Sequence, residues 1–213
     1  MSTRYDQFCA LARAAEILGE RWTLLITREL LLGPKRFSDL KGRLDGISGS
    51  VLSQRLDSLI KYGLVERSYL PPPAASMVFQ LTDGGLALRP AIFELIRWGG
   101  RFLMPARPGE RREPEWTSLV LQAYARPGPV PKKSFNLHIR ENGHEAVFAV
   151  TGTSEGTVIS AGPAEADARL CAGFEDVLGL MSGRIDPRQP RGEGLIETEG
   201  DPEALACFSQ MFA

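Results

Sequence analysis

The chain has 213 residues, 43% of them apolar and 24% charged, and a formal net charge of −1. That is the balance of a soluble globular protein long enough for two small domains, and no apolar run approaches the roughly 18 residues a membrane span needs, so a cytoplasmic protein without a membrane partner is expected. The charge is uneven: residues 1–104 carry 14 lysines and arginines against 10 acidic residues, and residues 105–213 carry 11 against 16, as expected if one domain meets phosphate and the other does not.

The first segment, MSTRYDQFCALARAAEIL, has an acidic residue inside a periodic pattern and no cleavable apolar core, so it reads as a helix and not as a signal peptide. From Arg4 to Leu18, positions Phe8, Leu11, Ala12, Ala15 and Leu18 form one helical stripe, with Cys9 beside it and Gly19 as the stop. RWTLLITRELLLGP follows as a second amphipathic helix, with Trp22, Leu25, Ile26 and Leu30 on one face and Gly33-Pro34 ending it.

The stretch from Arg36 to Leu81 then reads as a short helix, a turn on Gly46, a longer helix and a two-stranded hairpin. The short helix runs from about Ser38 to Leu44, with Ser38 as its cap, Phe37 and Leu40 for the core, and Lys35, Arg36, Lys41 and Arg43 placed for phosphate contacts. The longer helix is capped by Ser48 and buries Leu52, Leu56, Leu59 and Ile60. Its outward face therefore holds Ser50, Gln54, Asp57, Ser58 and Lys61, with Arg55 at the flank. Gln pairs bidentately with adenine and Arg with guanine, so this face could read base edges in a major groove; a solvated face of an ordinary three-helix core would look the same. Leu64, Val65 and Tyr69 make one strand and Met77–Leu81 the other, with Pro71, Pro72 and Pro73 at the tip because proline cannot continue a ladder.

TDGGLALRPAIFELIRWGGRFLM is more apolar than a surface helix requires, through Leu86, Leu88, Ile92, Leu95, Ile96, Trp98 and Phe102. A second copy of the chain would cover that excess, with the N-terminal helix as neighbour. PARPGERREP, residues 105–114, is a linker between a first domain, 1–104, and a second, 115–213. In the second, Trp116 to Tyr124 form a short helix. SFNLHIREN and HEAVFAVTG alternate as two strands around Asn142-Gly143, the strongest short hairpin signal. GTVISAG, ARLCAG and GLIETEG are further strands, and GFEDVLGLMSGRI and DPEALACFSQMF are helices. The fold class is α+β: a winged helix-turn-helix followed by a small α+β domain with a mostly antiparallel sheet.

Through ILGERWTLLITRELLLGPKRFSDL, GISGSVLSQRLDSLIKYGLVERSYL and FQLTDGGLAL, in that order, the first hundred residues resemble the HxlR-type winged-helix transcriptional regulators. The resemblance implies a homodimer on double-stranded DNA, with Arg36, Ser38, Lys41, Ser48, Ser50, Gln54, Arg55 and Lys61 as the DNA-binding set and Cys9 as a candidate sensor of electrophiles or oxidants. Two departures are visible. Cys9 is followed by Ala10 where proline is usual, and Ala74, Ala75 and Ser76 stand where the wing usually carries a cation. FNLHIRENGHEAVFAV, ARLCAGFEDVLGLMSGRID and GLIETEGDPEALACFSQMF resemble the sterol carrier protein type-two-like fold. That second resemblance implies an apolar tunnel for a hydrophobic small-molecule effector, or a closed module that supports the dimer.

Enzyme chemistry is not expected. Gly152-Thr153-Ser154-Glu155-Gly156 matches the hydrolase pattern G-x-S-x-G, but it falls between two strands, and both histidines, His138 and His144, precede it. Three cysteines, 9, 171 and 207, are odd in number and lack metal-ligand spacing, so reduced thiols, no metal and no cofactor are expected. Two classes stay open: a DNA-binding regulator, and a carrier of lipid or hydrophobic small molecules whose winged helix serves assembly.

Overall fold

A computed structural model describes residues 4–73, 75–189 and 196–213. Ala74 of the proline tip, and Gly194 and Leu195 of the expected strand GLIETEG, lie outside the described residues. The chain divides into two compact units, Met1–Ile92 and Phe93–Ala213, with the boundary inside one helix. Among the described residues no helix is long and apolar enough to cross a membrane.

In the first unit, α1 spans Ala10–Leu18, α2 Thr23–Leu31, α3 Phe37–Arg43 and α4 Gly49–Lys61. They are followed by β1 Val65–Leu70 and β2 Ser76–Leu81, antiparallel from Val65 opposite Leu81 to Leu70 opposite Ser76. Lys35 exchanges two backbone hydrogen bonds with Phe79, at 3.0 and 2.8 Å, and adds a short third rung beside the hairpin. Ile26, Leu30, Leu40, Leu44, Ile47, Leu52, Leu56, Leu59, Val65, Phe79 and Leu81 form one apolar core. The spacing of Leu52, Leu56 and Leu59 thus does what a 3.6-residue period requires, while Ile60 is only partly buried.

Three local readings are corrected. The first helix starts at Ala10, not Arg4: Asp6 has φ +49°, Cys9 is extended, and Phe8 is fully exposed. Phe8 fits the stripe by spacing, but none of the described residues covers it. Ser38 is inside α3, whose first position is instead prepared by Arg36, its backbone N–H donating to Asp39 Oδ2 at 3.1 Å. Phe37 and Leu25, expected in the core, are 36% and 40% exposed. Gly46 does occupy the helix-turn-helix turn with φ +85°, where a side chain would be strained.

After β2, Thr82 caps α5, Asp83–Leu86, its hydroxyl accepting from Gly85 N–H at 3.2 Å. α6 spans Arg89–Gly100. Leu86, Leu95, Trp98 and Phe102 are exposed, and so is Leu11 of α1.

The second unit has a 3₁₀ turn at Pro114–Trp116, α7 Thr117–Tyr124, β3 Ser134–Glu141, β4 His144–Gly152, β5 Thr157–Ala161, β6 Ala168–Ala172, α8 Phe174–Met181, β7 Glu197–Gly200 and α9 Pro202–Cys207. The expected last helix breaks at Phe208, where a 3₁₀ turn seats Phe208 and Met211 in the core. Strand order is β5-β4-β3-β6-β7, with β3 and β6 parallel and the other pairs antiparallel. Asn142 and Gly143, at φ +50° and +80°, make the two-residue hairpin turn. Phe135, Leu137 and Ile139 of β3 point to one side, where Leu121, Val177, Leu180, Leu205 and Phe208 close a core without exposed members. Phe208 meets Phe135 edge-on at 5.2 Å and Phe212 at 5.3 Å.

Candidate nucleic-acid interface

The interface is built on α4. Ser48 Oγ accepts from Val51 N–H at 3.2 Å and lies 3.0 Å from Ser50 Oγ, which fixes the helix start and leaves both hydroxyls exposed. Gln54, Asp57 and Lys61 are exposed on the face opposite the buried leucines, and Lys61 sits in the last turn, where the helix dipole favours a cation. Asp57 is paired with Arg67 of β1 at 3.1 Å, which ties the outward face of α4 to the hairpin. Arg67 also lies over the Phe79 ring at 5.9 Å.

Arg55 is held at the flank. Its guanidinium is 3.1 Å from Glu20 Oε2 and donates to Gln54 Oε1 at 3.2 Å, and its side chain is only 17% exposed. Arg36, at the start of α3, donates from Nε to Ser76 Oγ at 2.8 Å, so it leans toward the tip end of the hairpin, where Ser76 pairs with Leu70. Ser38 Oγ donates to Asp39 Oδ1 at 3.3 Å, and Lys41 is exposed. Arg43, grouped by sequence with the phosphate cations, instead lies 3.9 Å from the buried carboxylate of Glu29, which also accepts from Arg28 at 3.0 and 2.7 Å.

The partners Glu20, Glu29, Arg67 and Ser76 were not singled out by the sequence, because each acts across 10 to 40 positions of chain. By sequence alone Ser76 is only the place of a missing cation. It is an acceptor that positions one. Ala75, the neighbouring departure, has φ +35°, and its carbonyl accepts from Tyr69 OH at 2.9 Å.

The HxlR-like helix-turn-helix family profile matches residues 17–107. YvaP of Bacillus subtilis, an uncharacterized HTH-type transcriptional regulator, is 38% identical over 94 residues, 44% of this chain and 87% of the relative. The chain belongs to the HxlR-like helix-turn-helix family. A second relative, the HTH-type transcriptional regulator YodB of B. subtilis, is 36% identical over 92 residues, 43% of this chain and 82% of YodB. The solved structure of reduced YodB aligns with 47% of this chain and 100% of its own at 33% identity and a TM-score of 0.40. The candidate residues Arg36, Ser38, Lys41, Ser48, Ser50, Gln54, Arg55 and Lys61 all fall inside the family match, whereas Cys9 precedes it.

Cys9 is exposed at the residue before α1, with its carbonyl accepting from Arg13 N–H at 3.1 Å. Cys171 is buried, and that burial pushes its thiol up from the ordinary cysteine range; Cys207 is partly buried. Among the described residues no group of three or more histidines, cysteines or carboxylates could hold a metal. The G-x-S-x-G stretch is the loop between β4 and β5, where Thr153 Oγ1 accepts from Glu155 and Gly156 N–H at 3.1 Å each, so the threonine shapes a turn. His138 Nδ1 lies 3.2 Å from Glu145 Oε1 on the sheet, and His144 opens β4.

Proposed function

We propose that the protein is a DNA-binding transcriptional regulator that acts as a homodimer, with α4 in the major groove and the β1–β2 hairpin at the backbone. The observation that carries this reading is the division of α4: three leucines buried on one side, and Ser50, Gln54 and Lys61 exposed on the other, beside the exposed cations Arg36 and Lys41. Membership of a family whose relatives are named HTH-type transcriptional regulators supports it. Gln54, with Arg55 at its flank, faces the base edges in this reading, and Arg36 and Lys41, with Ser38, Ser48, Ser50 and Lys61, meet phosphate and sugar.

The domain limits 1–104 and 115–213, with 105–114 as linker, belong to the same proposal. The uncovered side chains of α1 and α6 supply the dimer contact, and Cys9, at the residue before α1, is the input for a thiol-reactive signal. For the second domain we propose a sterol-carrier-like module that supports the dimer or takes a hydrophobic effector between sheet and helices. Helices gathered on one side of a mostly antiparallel sheet support that architecture. The ring-to-ring packing of Phe135, Phe208 and Phe212 favours the supporting role.

The test is fluorescence anisotropy with duplex DNA from beside the protein's own gene and with random duplex of equal length, at several salt concentrations. Salt-sensitive binding that prefers one sequence is the expected result. Equal or absent binding to both duplexes would return the carrier of hydrophobic molecules as the better reading.

A further inference from the structure

Glu20 lies outside the helix-turn-helix, in the short connection between α1 and α2, yet it touches the reading helix. Its backbone carbonyl accepts from Thr23 N–H at 3.1 Å, which fixes it in the turn that opens α2. The neighbouring Trp22 puts its ring 3.9 Å from where a Cβ on Gly46 would stand, so this connection abuts the turn before α4. From there the Glu20 carboxylate meets Arg55 at 3.1 Å, and Arg55 in turn donates to the side-chain carbonyl of Gln54 at 3.2 Å.

We propose that Glu20 sets which base Gln54 reads. The inference rests on the DNA-binding reading above. An isolated glutamine pairs with adenine by accepting from N6–H with its carbonyl while donating to N7 with its amide. In this protein the carbonyl already accepts from a guanidinium, and a second donor would have to approach beside that cation. Gln54 is exposed, and its amide N–H groups are what it has left to offer a base; they suit an edge made of acceptors: guanine O6 and N7, or thymine O4. Arg55, spent on Glu20 and Gln54, is then a positioning residue and does not itself pair with guanine. Glu20 keeps it in place, because a carboxylate at hydrogen-bond distance from a side chain 17% exposed holds the guanidinium against the helix flank.

The experiment is in vitro selection from randomised duplex DNA with the full chain, comparing wild type, Glu20→Gln, Gln54→Ala and Gln54→Glu, with thermal unfolding of each. The position read by residue 54 is the one whose preference disappears in Gln54→Ala. Wild type is expected to select guanine or thymine there. Glu20→Gln is expected to raise the frequency of adenine at that position by roughly tenfold, the scale of one bidentate contact, with other positions and the unfolding midpoint unchanged. Gln54→Glu, which has no N–H to offer, is expected to lose the guanine or thymine preference even if Glu20→Gln folds poorly. Adenine selected by wild type, or an unaltered preference in both Glu20→Gln and Gln54→Glu, overturns the role of Glu20 while leaving the DNA-binding reading intact. No enriched sequence with wild type sinks the DNA-binding reading itself, and this inference with it.

Discussion

Arg43 at the end of α3 lies 3.9 Å from the carboxylate of Glu29 in α2, and that carboxylate is wholly buried. The pair ties the helix before the Gly46 turn to the helix behind it. Because removing one member of a buried pair strands the other charge, Glu29→Ala is expected to lower stability by about 3–5 kcal/mol. Urea unfolding of the full chain measures it; a loss near zero would mean that Arg28 and Arg43 find water easily in its absence.

Phosphate and base contacts separate by their dependence on sequence. Arg36→Ala is expected to weaken binding to specific and random duplex alike and to flatten the salt dependence. Gln54→Ala is expected to cost roughly 1–3 kcal/mol on the preferred sequence alone. Equal losses on both duplexes for both variants would refute the assignment.

The exposed rings Trp98 and Phe102, 5.1 Å apart, bear on the proposed dimer. Trp98→Glu is expected to convert a dimer to a monomer in sedimentation equilibrium. Losing the linked second half-site should weaken operator binding by roughly a hundredfold or more. A variant that remains dimeric with full affinity would place the contact elsewhere.

Thiol accessibility follows burial. Cys9 is exposed, Cys207 partly buried, and Cys171 buried with its thiol pushed up, so alkylation followed by peptide mapping is expected to mark them in that order. If Cys9 is the signal input, an electrophile changes operator affinity in wild type and not in Cys9→Ser. Identical responses from the two proteins would dismiss Cys9 as a sensor.

The second unit carries a pH-dependent link. Asp201 caps α9 by accepting from Glu203 N–H at 2.9 Å and meets Lys133 Nζ at 2.7 Å. The Lys133 hydrogen bond, reinforced by the Glu203 N–H, holds the Asp201 carboxyl below the usual range, and the same contact raises Lys133. A depressed carboxyl stabilises above its unfolded value, about 3.9, and loses that contribution as pH falls through the folded value. A raised lysine stabilises below its unfolded value, about 10.4, and loses it as pH rises through the folded one. The melting difference between wild type and Asp201→Asn should therefore be widest between about pH 5 and 9 and close at both ends. A flat difference across pH would assign the effect to capping alone.

What could be read in advance was whatever is encoded locally. Ser48, the leucines of α4, the proline tip and Asn142-Gly143 each fix their own few residues, and each stands where its chemistry puts it. Phe8 misled because periodicity records which residues are apolar, not whether anything covers them. The parallel pairing of β3 with β6 leaves no local signature, since its partners are more than thirty positions apart. The same distance hides the partners of Arg36 and Arg55, so the side chains of the candidate interface are legible in the sequence without the contacts that hold them.

The place of β3 also limits how the second half can be cut. It is the middle strand, with β4 on one side and β6 on the other, and those two do not touch as neighbours. A fragment beginning after Glu141 would lose α7 along with β3 and leave two separate ribbons, β4 with β5 and β6 with β7. Two-stranded ribbons are marginal in water, so such a piece should expose two raw edges where β3 had been and aggregate through them. Protease nicking at the Asn142-Gly143 turn would have the opposite outcome, because both halves stay paired over eight residues and the severed ends remain side by side.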